Sequence, residues 1–409
     1  MIRTSLALLA LASLAACATR PEGPAETVTT PTEAAPTIRL QSASFSDLPG
    51  WANADLAPAL LAFKRQCQTL RNRAPDSALG ADARYGGRVG DWLPACAAAD
   101  NAQAGQERAF FEANFLVSSI ASENGQARLT GYYEPIIQAS RTPTGVMTEP
   151  LLSRPNDMVT VDLRAFAEAY DSETLRGAPR SLTGKMDGAR VRPYPSRTEI
   201  GSAPVSRAIG YAHPADVYNL QVQGSGRLQF ADGQQARAAF AAQNGYRWRS
   251  ALGAARESGA LTDGTWRGFR AYLDQQDANG ARAALNADPS YVFFAEEPIT
   301  DPLAGPRGAA GVPLTPLGSM AVDPAFHPYG ALIFVDTTYA GAAFQRLVVA
   351  QDTGGAIRRG PLRGDIFFGS GPEAGAQAEQ MNAQAPRFWT LIPRGAPIAV
   401  LDDVSTTAG

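Results

Sequence analysis

The sequence predicts an α+β protein, mainly β with helices, whose last hundred residues close into a small barrel. Three observations point there. Gly (39) and Pro (30) are plentiful and cut the chain into many short apolar runs, the texture of strands and turns. In the last hundred residues, runs at 331–335, 347–350, 366–368 and 398–401 recur with glycine or proline between them, spacing that suits a closed barrel. Helical periodicity is confined to a few short segments. At 409 residues the chain can hold two domains or more, and a net charge of -3 offers no basic field for nucleic acid.

The elements follow in chain order. Arg3 and an apolar stretch over 5–16, too short to span a bilayer, end in Leu14-Ala15-Ala16-Cys17. This is similar to a bacterial lipoprotein signal, with cleavage before Cys17 and lipidation of its thiol; an ordinary secretory signal is the alternative. Ala18 in place of Asp resembles the pattern of lipoproteins sent to the outer membrane. Residues 18–42, rich in Thr, Pro, Ala and Glu as far as about Arg39, read as a flexible tether, and the fold should begin around Ser46. In the oxidising compartment that such a signal implies, the two remaining cysteines, Cys67 and Cys96, are expected to pair, with two buried thiols as the alternative. With no CxxC and only His213 and His327, a metal site is not expected.

Leu56, Leu60, Phe63, Cys67 and Leu70 recur at helical spacing behind Asp55 as N-cap, and 108–115 reads as a second helix. Residues 128–134 form a strand stopped by Pro135. A long proline-punctuated stretch then runs to about 215 without a clear element. Residues 217–223 alternate, with Tyr218, Leu220 and Val222 on one face, and predict a strand running into Gly224-Ser225-Gly226. Helical periodicity returns at 235–243, 249–257, 265–274 and 278–286; 291–296 reads as a strand. A short helix at 373–382 follows Pro372, with Glu373 near its positive end.

The chemistry concentrates in aspartates. Asp365 stands beside glycine and against Ile366, Phe367 and Phe368, where desolvation would raise its pKa and suit it to proton transfer. The alternative is a turn aspartate holding backbone amides. Asp352, in Asp-Thr-Gly, reads as a local hydrogen-bonding turn or as a second catalytic carboxylate. Asp323 opens a turn, Glu373 reads as a helix-terminus carboxylate and His327 as a packed loop residue. Tyr132, Tyr133, Trp248 and Phe326 are stacking platforms for a sugar or simply core. Gln223 and Ser225 end their segment at a glycine loop, where short polar side chains reach a ligand. No GxSxG, P-loop or GxGxxG pattern occurs.

Taken in order, LTGYYEP (129–135), DVYNLQVQGSGRLQF (216–230), NGYRWRS (244–250), PSYVFF (289–294), PLTPLGSMAVDP (313–324), QDTGGAI (351–357) and GDIFFGSGPEAG (364–375) resemble the membrane-bound lytic murein transglycosylase A family. The resemblance implies a double-psi β-barrel domain built from 43–135 and 298–405, with a second β domain, 136–297, inserted as the other wall of a glycan groove. It implies a C-terminal cluster of Asp323, Asp352 and Asp365, with Asp365 catalytic and Asp352 positioning it. Tyr132, Tyr133, Gln223, Ser225 and Asp323 fall in its substrate-binding segments.

The implied activity is lytic cleavage of the β-1,4 bond between N-acetylmuramic acid and N-acetylglucosamine, ending in a 1,6-anhydro ring, with no metal or organic cofactor. The implied partners are peptidoglycan strands, the outer membrane through a lipid anchor on the periplasmic side, and cell-wall synthase or scaffold proteins, with no nucleic acid. The chain departs from the family in a longer 352–365 loop carrying Arg358, Arg359 and Arg363, and in Glu134, where an uncharged residue is usual. Two rival readings stand beside this one: a non-catalytic peptidoglycan-binding lipoprotein, and an aspartic protease dimerising through its single Asp352-Thr353-Gly354.

Overall fold

Runs such as 331–335 have no polar face to show to water, so they must be covered on both sides, and the fold is built around that need. The computed structural model describes residues 37–397 apart from 82, 84, 124–126, 204, 358 and 359. Cys17, the tether up to residue 36, Arg358, Arg359 and the expected strand at 398–401 lie outside the described residues.

Nine strands form the main sheet, in the spatial order Arg39–Ala43, Phe115–Ala121, Arg387–Pro393, Leu332–Tyr339, Ala342–Asp352, Ser319–Val322, Arg363–Ser370, Arg128–Glu134 and Asn382–Ala383. Two neighbouring pairs run parallel, Ser319–Val322 with Ala342–Asp352 and Arg363–Ser370 with Arg128–Glu134; the others are antiparallel. Leu332–Tyr339 and Ala342–Asp352 are a hairpin closed by Ala340 and Gly341, both at positive φ (49° and 81°), the turn geometry that matches the strand twist. Alternate residues of the first strand serve opposite cores. Leu332 and Phe334 face a cluster with the N-terminal helices, Ile333 and Val335 a second cluster that includes Ile366 and Phe368.

The expected closed barrel is not seen. Among the described residues no ladder joins Arg39–Ala43 to Asn382–Ala383, a two-residue strand too short to close a sheet, and the barrel strand assigned to 398–401 is not among them. Arg39–Ala43 also pairs with Phe115–Ala121, so the ordered part starts ahead of residue 43, inside the segment read as tether.

The N-terminal helices Ala57–Leu70, Val89–Asn101 and Glu107–Asn114 cover one face of the sheet. Leu56, Leu60, Phe63, Cys67 and Leu70 are buried as their spacing predicts. Asp55 lies one residue ahead of the cap, where it accepts from the Ala57 amide at 3.3 Å and pairs with Arg346 at 3.0 Å. Cys67 and Cys96 are disulfide-bonded across the first two helices, 29 residues apart. Opening that loop should cost about 3–4 kcal/mol of stability. Urea unfolding with and without reductant checks this, and an unchanged midpoint would contradict it.

The middle of the chain forms smaller sheets. One has the order Val292–Glu297, Gln235–Gln243, Gly226–Phe230, Ile136–Ala139; Glu149–Leu152 pairs with Ala208–Ala212; and Met158–Asp162, Ser181–Asp187 and Arg190–Pro193 make a third. Two expectations are corrected here. Residues 217–223 are not a strand but the end of the helix Pro214–Gln223. Pro214 sits in its first turn, His213 Nδ1 accepts from the Ala215 amide at 3.2 Å, and Gly224 closes it at φ 86°. Val217, Tyr218, Leu220 and Gln221 are buried while Val222 is exposed, a helical pattern that short alternation had imitated.

Conversely, 235–243 is a strand. Its alanines look helical, but it pairs on both sides, with Gly226–Phe230 and Val292–Glu297, and tertiary pairing overrides propensity. The helices Ala251–Glu257, Trp266–Asp274, Ala278–Leu285 and Gly371–Gln380 lie where periodicity puts them. The last packs so closely on Arg128–Glu134 that a Cβ on Gly131 would stand 2.7 Å from the Phe368 ring and 2.8 Å from the Ala378 carbonyl.

Candidate active site

The two aspartates singled out in the sequence meet across one short strand. Ala321, in Ser319–Val322, is registered with Asp352 on one side and with Asp365 on the other. At the usual strand spacing their backbones stand about 10 Å apart. A register shift between Met320 and Ala321 brings Asp352 opposite Ala321, the kind of bulge that re-aims a side chain beside a site.

The parallel partner strand supplies the rest. Asp365 is registered with Thr130, whose hydroxyl donates to Asp365 Oδ1 at 2.7 Å. Arg363 Nη2 in turn donates to Thr130 Oγ1 at 2.9 Å, so its charge reaches the carboxyl through the hydroxyl. Two residues on, Tyr132 donates to Asp352 Oδ2 at 2.9 Å, its ring 5.3 Å from that of Phe367. The Ala309 amide donates to Asp352 Oδ1 at 3.0 Å.

Both carboxyls are half-buried, and burial dominates their titration. Desolvation pushes Asp365 up to about 6, opposed by the nearby Arg363 charge and the Thr130 hydrogen bond, and aided by the charge of Asp352. Asp352 is also raised by burial, but the Ala309 and Thr353 amides and the Tyr132 hydroxyl all favour its ionised form. The pair is thus divided. Asp352 accepts from several donors that favour its ionised form; Asp365 can both give and take a proton near neutrality.

The other predicted residues are spread more widely. Asp323 is buried and accepts from the Ala325 and Gly360 amides, each at 3.1 Å, tying down the loop between the two aspartates. His327 holds the same loop. It lies buried between Tyr85 OH and the Pro361 carbonyl, 2.6 Å from each, and burial lowers its pKa to about 4, so it is neutral packing as expected.

Tyr133 points to the helix Pro214–Gln223: its hydroxyl accepts from Asn219 at 2.9 Å and its amide donates to Gln223 Oε1 at 3.2 Å. Ser225 is buried and accepts from the Phe240 amide at 3.3 Å, a bond within the neighbouring sheet. Phe326 packs against the sheet core, Trp248 is partly exposed, and Glu373 lies exposed in the first turn of its helix. Among the described residues no group of three or more His, Cys, Asp or Glu could hold a metal ion.

Sequence reasoning missed three participants. Thr130 carried a usable signal, since strand alternation puts it on the face of Tyr132. Arg363 was noted only as part of a long loop. Glu134, read as a departure, turns out to be a buried junction. Its Oε2 accepts from Arg227 Nε at 2.8 Å and from the Ser370 hydroxyl, its Oε1 from Arg237 Nε at 2.6 Å. The same arginines donate to the Ala304 carbonyl at 3.3 and 2.8 Å. Glu134 and Ser370 end the two strands that carry Thr130 and Asp365, so this cluster fixes both.

The chain is similar to known proteins along most of its length. The MltA specific insert domain matches residues 128–295, and the 3D domain matches 318–391. A crystal structure of a membrane-bound lytic murein transglycosylase from Agrobacterium tumefaciens is 30% identical, aligned over 87% of this chain and 98% of that one, with a TM-score of 0.73. MltA from Neisseria gonorrhoeae is 28% identical over 88% and 94% of the two chains, with a TM-score of 0.72. Membrane-bound lytic murein transglycosylase A of Vibrio cholerae is 29% identical over 284 residues, 66% of each protein, so the match spans about two thirds of that relative's length. The chain belongs to the membrane-bound lytic murein transglycosylase A family.

Proposed function

We propose that the chain is a peptidoglycan lytic transglycosylase that cleaves the bond between N-acetylmuramic acid and N-acetylglucosamine with Asp365 as its only acid and base. The observation that carries this reading is the division of the aspartate pair. Among the described residues one carboxyl accepts from a single side chain, Thr130, and has a pKa of about 6, while the other accepts from Tyr132 and the Ala309 amide. Ordinary glycosidases need a second free carboxylate to activate water or attack carbon. Here the attacking group is the substrate's own C6 hydroxyl.

In the first step protonated Asp365 donates to the bridging O4 as the C1–O4 bond breaks. The muramyl acetamide oxygen and nearby dipoles stabilise the oxocarbenium-like centre. In the second, ionised Asp365 takes the proton of the C6 hydroxyl as O6 bonds to C1. Protons balance, no water is consumed, and the product end is 1,6-anhydromuramic acid. Asp352 positions the site through Tyr132 and raises the pKa of Asp365 by its charge. In the same reading Tyr132, Tyr133 and Gln223 line the glycan path, while Ser225 and Asp323 act through the backbone they hold. The parallel pairing of Arg363–Ser370 with Arg128–Glu134 supports a double-psi arrangement of 43–135 and 298–405, with 136–297 inserted. Cys17 would anchor the protein to the outer membrane facing the periplasm, near cell-wall synthases or scaffolds. Among the described residues no helix is long and apolar enough to cross a membrane.

Mass spectrometry of digested sacculi tests the proposal. Anhydromuropeptides should come from wild type and none from Asp365→Asn, and plain reducing ends would overturn it. Tyr132→Phe removes one donor from Asp352 while leaving the ring in place. Turnover should fall roughly ten-fold with KM nearly unchanged, the size of one buried hydrogen bond to a charge. Steady-state kinetics on soluble glycan checks it, and an unaltered kcat would remove Tyr132 from the mechanism.

A further inference from the structure

Away from the aspartates, the middle of the chain holds a cavity of about 280 Å³, lined by Glu149, Arg282, Tyr211, Pro214, Ile200 and Tyr291 among others. Such a volume admits roughly a dozen heavy atoms at protein packing density. Two opposite charges share its wall. Glu149, at the start of the strand Glu149–Leu152, has a side chain only 18% exposed; Arg282 is 47% exposed, and their nearest atoms stand 3.7 Å apart. That is an ionic contact longer than a hydrogen bond, which leaves an acceptor and a donor for a guest. Burial raises the Glu149 pKa, against the pull of Arg282 and Arg197, so its charged form gains from a nearby cation.

Arg197 does not compete for the guest. Its guanidinium donates to the Asp288 and Ser290 carbonyls and to Gln221, and lies 5.2 Å over the Tyr291 ring. It backs the wall as a fixed charge, while Tyr211, Pro214 and Ile200 offer apolar surface.

We propose that this cavity binds the zwitterionic head of an amino acid joined to a short peptide through its side chain, its ammonium on Glu149 and its carboxylate on Arg282. The proposal deepens the function above and rests on it for the source of the ligand: murein carries short peptides on its muramyl units. The distance fits. Pro214 lines the cavity and opens a helix of ten residues, about 15 Å long, whose last residue, Gln223, holds Tyr133 beside the catalytic strand. An extended peptide of four or five residues covers that span. The cavity would select glycans whose peptides still carry a free amino-acid end.

Titration of the protein with Nε-acetyl-lysine, followed by NMR or calorimetry, tests this without any glycan, so its outcome is separate from that of the cleavage assays. Binding at roughly millimolar or tighter is expected. The two analogues lacking one charge, with the α-amine acetylated or the carboxylate amidated, should bind at least ten-fold more weakly. Glu149→Gln should cost at least ten-fold, and so should Arg282→Gln, whose half-exposed side chain can be changed even if the buried glutamate cannot. No binding, equal binding of the one-charge analogues, or full binding by Arg282→Gln would each overturn the proposal.

Discussion

Asp365→Asn should lower turnover of sacculi by about a thousand-fold or more, with little change in substrate binding. One carboxyl is proposed to deliver one proton and accept another, and each general acid–base step is typically worth 10²–10⁴ in rate. Asparagine keeps the shape and can still meet Thr130, so a loss reports protonation and not collapse. The pH dependence follows from the same group. With a pKa of about 6, the protonated fraction falls ten-fold per pH unit above that value, and kcat/KM should follow.

The stability of the Asp365→Asn variant should move opposite to its turnover. The Asp365 carboxyl is raised above its ordinary 3.8, so between about pH 4 and pH 6 the folded chain binds more protons than the unfolded one. Its contribution to stability therefore falls as pH rises through that window. Asp365→Asn escapes the penalty and should be more stable than wild type at pH 7.5 by about 1–3 kcal/mol. Denaturant unfolding at pH 4 and 7.5 measures the difference. A variant that loses activity and stability together would contradict the account.

The second large effect lies at the junction beneath the site. Glu134→Gln removes the carboxylate placed between Arg227 and Arg237, both nearly inaccessible to water. Two buried guanidiniums are then left facing each other, and breaking such a pair from one side typically costs about 3–5 kcal/mol. Urea denaturation should show that loss. Because Glu134 also accepts from Ser370 at the end of the Asp365 strand, the remaining folded enzyme should show a lower kcat. A loss below about 1 kcal/mol would mean that solvent or the 302–304 carbonyls already satisfy the arginines.

These two results also separate what is legible in the sequence from what is not. The strands around Asp365 announce themselves, because unbroken apolar runs beside glycine can only be buried, and a carboxyl at their edge is desolvated whatever lies opposite. Thr130 and Tyr132 could be placed on one face by alternation, but their partners depend on a parallel register set between residues more than two hundred positions apart. Glu134 looks like an oddity in sequence because its arginines lie 93 and 103 positions away.

The segment Gln235–Gln243 reads as helix because its alanines favour one, and becomes a strand through neighbours on both sides. Residues 217–223 fail for the opposite reason: seven alternating residues are too few to tell a strand from a helix whose start signals, His213 and Pro214, stand just before them. The stretch 136–215 is hardest, since half of its strands pair with distant partners, such as Ile136–Ala139 with Gly226–Phe230 and Glu149–Leu152 with Ala208–Ala212.

The most direct measurement is a crystal structure of Asp365→Asn with a murein tetrasaccharide bound. The account predicts the glycosidic oxygen within about 3 Å of the residue 365 amide, hydrogen-bond reach for the carboxyl it replaces. Residue 352 should still be held by Tyr132 and remote from the anomeric carbon. A glycan bound with its scissile oxygen beside Asp352, or outside the reach of residue 365, would contradict it.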